Sequence, residues 1–258
     1  MPNALVASLG LFTIIPVPPV ADIDRRLAGR AMLALPWVGV IVGGLGGLVL
    51  ALVSFTGAPL LPAVAGLAVL AWLTGALHLD GVADTADGLG SRKPADAALA
   101  IMKRSDIGPM GVITLLFVLL FDVAALNALG NAGILAPALA LPVAAMLGRL
   151  MVGFAVRIPT ARPGGFGALF DGVTTVLGLS LTSVLVGVVA LGAGWVAGGG
   201  AGVLAFGVAA VVAGGAGWWW KNHLRARFGG MTGDTFGSLI EVTQAAFLVV
   251  AALLLSSL

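Results

Sequence analysis

Long apolar runs alternate with short charged connections along the chain. Runs of about twenty apolar residues occur at roughly 34–56, 58–79, 108–130, 132–154, 173–194, 199–220 and 236–257. A helix of this length crosses the hydrocarbon core of a bilayer. The pattern therefore predicts an all-α protein, a polytopic membrane helix bundle of about seven transmembrane helices. We expect residues 1–258 to form a single integral membrane domain.

The first 33 residues depart from this pattern. Pro16, Pro18 and Pro19 prevent the short apolar N-terminal piece from continuing as a helix, and a charged stretch over residues 21–30 follows. We expect residues 1–33 to form an interfacial or re-entrant segment. Within it, the charged stretch is predicted to be a surface helix that arginine side chains anchor to lipid phosphates.

The basic residues occupy alternate connections between the apolar runs. They precede the first run, follow the second and fourth, and separate the sixth from the seventh. By the positive-inside rule, the N-terminus and every charged connection face the cytoplasm, and the C-terminus lies outside.

Composition narrows the class of protein. Hydrophobic residues make up 60% of the chain and charged residues only 9%, which excludes a soluble domain with an ordinary core. The absence of Cys excludes disulfides and thiolate metal sites. We expect membrane lipids, and no nucleic acid, among the partners.

Three aspartates stand out directly after the second apolar run, in the sequence HLDGVADTADG. Asp80, Asp84 and Asp87 have the spacing i, i+4 and i+7, which places them on one face of a helix. Such a stripe suits a hard divalent cation, Mg2+ or Mn2+, better than zinc. Gly81 and Gly88 beside the acids would let a phosphate-bearing ligand approach the backbone.

Residues 78–108 as a whole form a predicted cytoplasmic active-site segment. His78 either assists a metal or a proton transfer, or is a hydrogen-bonded structural residue. A short amphipathic helix is expected from near Pro94 to near Gly108. The segment also carries cations and one acid suited to a phosphorylated substrate, or typical of any cytoplasmic loop: Arg92, Lys103, Arg104 and Asp106.

Three further charged residues lie in or beside later runs. Asp122 is expected toward the far side of the membrane as a structural, hydrogen-bonded residue. Arg149 either extends to the lipid headgroups or binds a ligand phosphate. Arg162 belongs to a glycine-rich loop that resembles a flexible anion-binding lid.

The last apolar run carries a second acidic pair. Asp234 and Glu241 are seven residues apart and share a helix face. Glu241, the only glutamate of the chain, lies about two turns into the membrane, where a carboxylate is costly. We therefore expect both acids to join the site formed by the first aspartates.

The motifs HLDGVADTADG, IMKRSDIG, ARPGGFG and TGDTFGSLIE, in this order between apolar runs, resemble the cobalamin synthase family. The resemblance implies a Mg2+-dependent enzyme of the bacterial inner membrane. Members join adenosylcobinamide-GDP to alpha-ribazole or its 5'-phosphate and release GMP. The acidic motif carries over as Asp80, Asp84 and Asp87, and the TGD-to-Glu motif as Gly233, Asp234 and Glu241.

This chain departs from the family pattern at three places. Ile14 replaces an arginine of the entry segment, and Gln244 replaces an acid of the last motif. In IMKRSDIG the cation and the acid are exchanged, with Arg104 and Asp106 in the two positions. The assignment of contacts to this pair stays open.

The chemistry implied is a phosphoryl-group transfer in which a ribazole hydroxyl attacks phosphorus and GMP leaves. Asp80, Asp84, Asp87 and Asp234 would hold the metal, and Asp84 or Glu241 would accept the proton. The predicted phosphate-binding cations are Arg92, Lys103, Arg104, Arg149 and Arg162.

Two alternatives are a CDP-alcohol phosphotransferase and a cation-coupled transporter. The first lacks support because its signature has an arginine where this chain has Asp84. The second normally places its acids at the membrane midplane within an inverted repeat, and no such repeat is visible.

Overall fold

The structure is a computed structural model that describes residues 4–20 and 22–255. Within these ranges the chain is helical, and a single isolated bridge, between Thr160 and Met231, is the only extended pairing. The helices are α1 (Ala4–Phe12), α2 (Arg25–Ser54), α3 (Leu61–Leu73), α4 (Leu77–Gly90), α5 (Ala95–Ile101), α6 (Pro109–Leu129), α7 (Leu135–Ala155), α8 (Val176–Phe228) and α9 (Gly233–Leu255). The predicted polytopic helical bundle is confirmed.

The number of membrane spans depends on how α8 is counted. Among the described residues, five helices are long and apolar enough to cross a membrane, or six if α3 and α4 form one broken span. Helix α8 is interrupted at Gly198 and Gly199, and Gly199 has a φ of +58°, which favours glycine. A Cβ on Gly194 would lie 2.5 Å from the carbonyl oxygen of Gly202. The two halves of α8 therefore fold back on each other, and counting them separately raises six spans to the expected seven.

The second predicted span, roughly 58–79, is not one helix. It breaks between Leu73 and Leu77, and α3 and α4 meet at 90°. Gly75 and Ala76 adopt left-handed conformations with φ of +60° and +56°. The apolar run gave no sign of this break, because left-handed residues do not alter hydrophobicity. Helix α4, which carries the aspartates, therefore runs perpendicular to α3.

The helix boundaries near the N-terminus and in the active-site segment also differ from expectation. The charged stretch within residues 1–33 does not form a separate surface helix, because α2 begins at Arg25, where the Asp24 carboxylate accepts a hydrogen bond from the Leu27 N–H at 2.6 Å. The amphipathic helix expected from Pro94 to Gly108 ends at Ile101. The interfacial position of residues 1–33 stays a prediction.

Helices α2 and α7 pack backbone against backbone at the centre of the bundle. Gly39 and Gly43 lie so close to α7 that a Cβ on either would be 2.5 to 2.6 Å from its backbone atoms. Such contacts replace the hydrophobic effect as the source of helix association in lipid. Helix α7 is the most buried of the long helices, so it forms the core on which the site is built.

We expect Gly43→Leu to destabilise the protein, because its side chain would overlap Pro142 of α7. The cost of such overpacking is about 1–3 kcal/mol. A Cβ on the neighbouring Gly44 would meet no heavy atom of another element within 4 Å, so Gly44→Leu is the matched control. Thermal unfolding in detergent measures both variants. Equal unfolding temperatures for the two variants would contradict the α2–α7 contact.

A total of seven spans would place the two ends of the chain on opposite sides of the membrane. A reporter enzyme fused after Leu258 should therefore be active outside the cytoplasm, and one fused before Met1 inside it. Two reporters on the same side would rule out the hairpin in α8 as a pair of spans.

Candidate functional site

The site begins where α4 crosses α9. A Cβ on Gly81 would lie 2.5 Å from the carbonyl oxygen of Asp234, and one on Gly237 would lie 2.9 Å from that of His78. No side chain separates the two backbones at this point. The crossing therefore brings the aspartates of α4 next to the first turn of α9, as the two acidic motifs predicted.

Asp80 and Asp84 are the acidic residues of the site whose carboxylates have no partner among the described residues. Asp80 is exposed and Asp84 is half-buried. Among the described residues, neither side chain makes a hydrogen bond or an ion pair, although Asp84 experiences the charges of Asp80, Asp87, Asp234 and Arg162. Both carboxylates are thus free to bind a cation or accept a proton.

Asp87, in contrast, has a structural task. Its Oδ2 accepts a hydrogen bond from the Gly108 N–H at 2.6 Å, and its Oδ1 accepts one from the Gly111 N–H at 2.8 Å. The carboxylate therefore caps the first turn of α6. Each oxygen retains one lone pair. If Asp87 binds a metal as predicted, it must do so while both of its oxygens also accept these capping hydrogen bonds.

Asp234 is held by Arg162. The Arg162 Nη1 donates to Asp234 Oδ2 at 2.8 Å, and its Nη2 donates to the Leu99 carbonyl of α5 at 2.8 Å. Its buried Nε has no partner among the described residues. The glycine-rich loop thus brings Arg162 to the acidic site, and three of the five guanidinium N–H groups have no partner among the described residues.

The other predicted phosphate ligands lie further out. Arg92 and Lys103 are exposed. Arg104 and Asp106 form a two-bond ion pair at 2.7 and 2.8 Å, with both side chains more than 60% exposed. The hydrogen bond from Arg104 holds the pKa of the Asp106 carboxyl below its usual value. Arg104 and Asp106 line a surface pocket together with Asp87.

Two of the predicted glycine roles are corrected. Gly81 faces the backbone of α9, and a Cβ on Gly88 would lie 2.6 Å from the Met102 side chain. Both glycines therefore serve helix packing and leave no space for a ligand at the backbone. Gly233 begins α9 and does line a cavity beside Asp234.

A buried polar cluster lies beneath the aspartates. Arg149 is fully buried, donates to the Ala145 carbonyl at 2.9 Å, and has its Nη2 3.4 Å from His78 Nδ1. Glu241 Oε1 is 3.8 Å from the same His78 atom. Arg149 therefore neither extends to the headgroups nor faces a substrate phosphate, because α7 is enclosed by its neighbours. Glu241 lies close to His78 and not among the aspartates.

The cluster continues deeper through Gln244 and Asp122. The Gln244 Nε2 donates to Glu241 Oε2 at 3.1 Å and to Asp122 Oδ2 at 3.3 Å. The expectation that Asp122 is hydrogen-bonded is confirmed. Sequence reasoning missed Gln244 as a member of the cluster, although its spacing of three residues from Glu241 on one helix was a usable signal.

A cavity of about 160 Å³ opens between α4 and α9. Asp80, His78 and Asp234 line it together with several apolar side chains. Two of those, Phe12 and Phe166, meet edge to face with ring centroids 5.9 Å apart. Both come from segments outside the acidic motifs; Phe166 belongs to the ARPGGFG motif, but neither ring was predicted to line the site.

The residues present fit a hard divalent cation, with a smaller protein ligand set than expected. Among the described residues no three acidic or histidine side chains converge as a ready-made metal site. Mg2+, however, is commonly bound by one or two carboxylates and completed by water and substrate phosphates. The unpartnered carboxylates of Asp80 and Asp84 supply that chemistry.

Comparison with known proteins identifies the family to which the chain is similar. A model of the family described as Cobalamin-5-phosphate synthase matches residues 4–252. A protein of Frankia casuarinae named Adenosylcobinamide-GDP ribazoletransferase is 42% identical over 257 residues, which cover 94% of this chain and 92% of the relative. Proteins with the same name from Pseudomonas aeruginosa strain UCBPP-PA14 and Brevibacillus brevis are 38% and 32% identical, over 97% and 96% of this chain and 98% and 97% of their own lengths.

No solved structure matches the chain. The sequence similarities nevertheless extend over nearly its full length, and the matched residues 4–252 span every segment that forms the site. The chain therefore belongs to the cobalamin-5-phosphate synthase family, as its motifs predicted.

Proposed function

We propose that the protein is a membrane transferase that joins adenosylcobinamide-GDP to alpha-ribazole, or to its 5'-phosphate, with release of GMP. The similarity to proteins named Adenosylcobinamide-GDP ribazoletransferase supports this activity over the two alternatives. The structural observation that carries it is the α4–α9 crossing, which brings Asp80 and Asp84 beside Asp234. Acids from two distant motifs are what a diphosphate substrate with a bound cation requires.

The reaction is a substitution at phosphorus. The ribazole 3'-hydroxyl forms a new O–P bond to the cobinamide-linked phosphorus, and the bond from that phosphorus to the GMP oxygen breaks. The hydroxyl proton must be accepted by a base. Asp84 is better placed for this than Glu241, because Asp84 is half-buried among the aspartates and Glu241 lies in the cluster below. The carboxylate of Asp84 also has no hydrogen bond to lose.

Asp80 and the partly engaged Asp234 are the side chains that would hold Mg2+, or Mn2+ in its place. One oxygen of Asp84 would complete the set and leave the other to accept the proton. The ion would neutralise the diphosphate and stabilise the leaving phosphate. Arg162 keeps Asp234 in place, and the Nη N–H groups that Asp234 and Leu99 do not engage are the donors for a phosphate oxygen. The exposed cations of the α4–α6 connection, Arg92, Lys103 and Arg104, attract the anionic substrate to the site.

The cellular setting follows from the charge pattern. With the basic connections in the cytoplasm, the acidic site opens to the cytoplasmic face of the bacterial inner membrane. Nucleotide-linked substrates are delivered on that side. Lipid surrounds the apolar outer faces of α6 and α8, whose large hydrophobic side chains are exposed.

The first test of the site is Asp84→Asn. The amide removes the negative charge and the proton acceptor, so GMP release should fall by at least about 100-fold. The assay uses purified protein in detergent with adenosylcobinamide-GDP, alpha-ribazole and saturating Mg2+. Asp96→Asn, an exposed aspartate of α5 outside the site, is the matched control and should retain activity. Turnover near wild type in Asp84→Asn would remove Asp84 from the reaction.

A second test concerns the cation. Chelation with EDTA should abolish GMP release, and added Mg2+ or Mn2+ should restore it. In Asp80→Asn the Mg2+ concentration for half-maximal activity should rise by about tenfold or more, because a carboxylate ligand becomes a neutral amide. Full activity in EDTA, or an unchanged Mg2+ requirement in Asp80→Asn, would contradict the proposed ligand set.

A further inference from the structure

The cavity between α4 and α9 has the size of one flat ring system. Its volume is about 160 Å³, close to the roughly 150 Å³ of an engineered apolar cavity that holds benzene. A drug-sized ligand needs about 300 Å³ or more, so a whole nucleotide or a corrinoid does not fit. Most of the walls are apolar, and they come from α1, α2, α4, α7 and α9: Phe12, Leu35, Leu77, Val152, Phe236 and Ile240.

Arg149 determines which nitrogen of His78 is the donor. A guanidinium has only N–H donors and no acceptor. Its Nη2 lies 3.4 Å from His78 Nδ1, whereas the competing Glu241 oxygen is 3.8 Å away, beyond hydrogen-bond distance. The tautomer that satisfies this contact has Nδ1 as the acceptor and the ring hydrogen on Nε2.

The His78 Nε2–H is a buried donor without a protein acceptor. His78 is 3% exposed and lines the cavity, and Nε2 has no partner among the described residues. A buried polar group in this condition costs free energy that an acceptor on a ligand would recover. Because His78 lines the cavity, an acceptor atom on the edge of an apolar ring bound there is the partner that this donor lacks.

We propose that this cavity binds the base of the nucleoside acceptor, with the His78 Nε2–H donating to the ring nitrogen that the ribose leaves unsubstituted. The proposal rests on the proposed function, in which that base is the benzimidazole of alpha-ribazole. The benzimidazole carbocycle contacts the apolar walls. Asp80 and Asp234 line the same cavity, so the attached ribose extends toward the carboxylates that serve the reaction.

The guanine of the GDP group is a poorer occupant. Guanine carries several donors and acceptors around its edge. Its N–H donors could pair with the carboxylates of Asp80 or Asp234, but its O6 and N7 acceptors would compete for the single His78 donor among otherwise apolar walls. The base of a benzimidazole nucleoside has a single acceptor, its unsubstituted ring nitrogen. Arg149 is a positioning residue in this arrangement, because it acts on the base only through His78.

The decisive experiment compares alpha-ribazole with the riboside of dimethylindole as acceptor substrates. In the dimethylindole riboside, C–H replaces the acceptor nitrogen. For the wild-type protein its KM should exceed that of alpha-ribazole by about tenfold or more, because the buried donor is left unpaired. In His78→Phe the two KM values should become equal. His223→Phe, which changes the other histidine of the chain in an exposed position on α8, should keep the wild-type ratio.

The positioning role of Arg149 has its own readout. Arg149→Met should reduce the ratio of the two KM values toward one, and Arg149→Lys, which retains a donor, should restore part of it. A change in stability alone would alter both KM values together and leave their ratio intact. If Arg149→Met retained the full ratio, Arg149 would not act through His78.

A binding experiment separates this proposal from the proposed function. Free dimethylbenzimidazole and dimethylindole are titrated calorimetrically against the wild-type protein in detergent, with no transfer required. Tighter binding of dimethylbenzimidazole without any GMP release in the assay would support the cavity assignment and refute the transfer activity. Equal binding of the two bases, with normal GMP release, would overturn the cavity assignment. This measurement decides the question even if His78→Phe does not fold.

Discussion

The close approach of α4 to α9 is the contact on which the site depends. Helices in lipid gain little from the hydrophobic effect, so association relies on van der Waals contact between small residues. Gly81 and Gly237 allow the two backbones to touch without intervening side chains. A side chain at either position would separate the helices and move Asp234 away from Asp80 and Asp84. The glycines of this crossing thus set the distance between acids that are about 150 residues apart in sequence.

The 90° bend before α4 gives this crossing its direction. A straight second span would have continued along α3 and carried its acids toward a different neighbour. Two successive left-handed residues, Gly75 and Ala76, make the bend. The left-handed region is unfavourable for alanine, so the surrounding structure must maintain it, and the Ile14 N–H contributes by bonding to the Leu73 carbonyl at 2.9 Å. Strain of this kind often accompanies functional sites.

Sequence periodicity predicted the features that depend on local spacing. The apolar run lengths indicated the spans, and the i, i+4, i+7 spacing placed the three aspartates on one helix face, since both are properties of single helices. The bend at Ala76 and the burial of Arg149 were not predictable in this way. The first depends on backbone conformation, which hydrophobicity does not encode, and the second depends on how completely other helices enclose α7.

The polar groups of the site differ in how deeply they lie in the bundle, and their depth determines whether water can compensate a charge on them. Asp80 and Asp84 are at the accessible end, where water and a cation can compensate ionised carboxylates. Below them, Glu241 and Arg149 are enclosed on either side of His78 Nδ1, and hydrogen bonds from Gln244 and to the Ala145 carbonyl engage part of each side chain, because an unpaired polar group in a low-dielectric interior is costly. His78 lies at the boundary between these layers. Its position lets a charged cluster fix a neutral hydrogen-bond donor, so that recognition of an apolar ring can occur within one helical turn of the acidic chemistry.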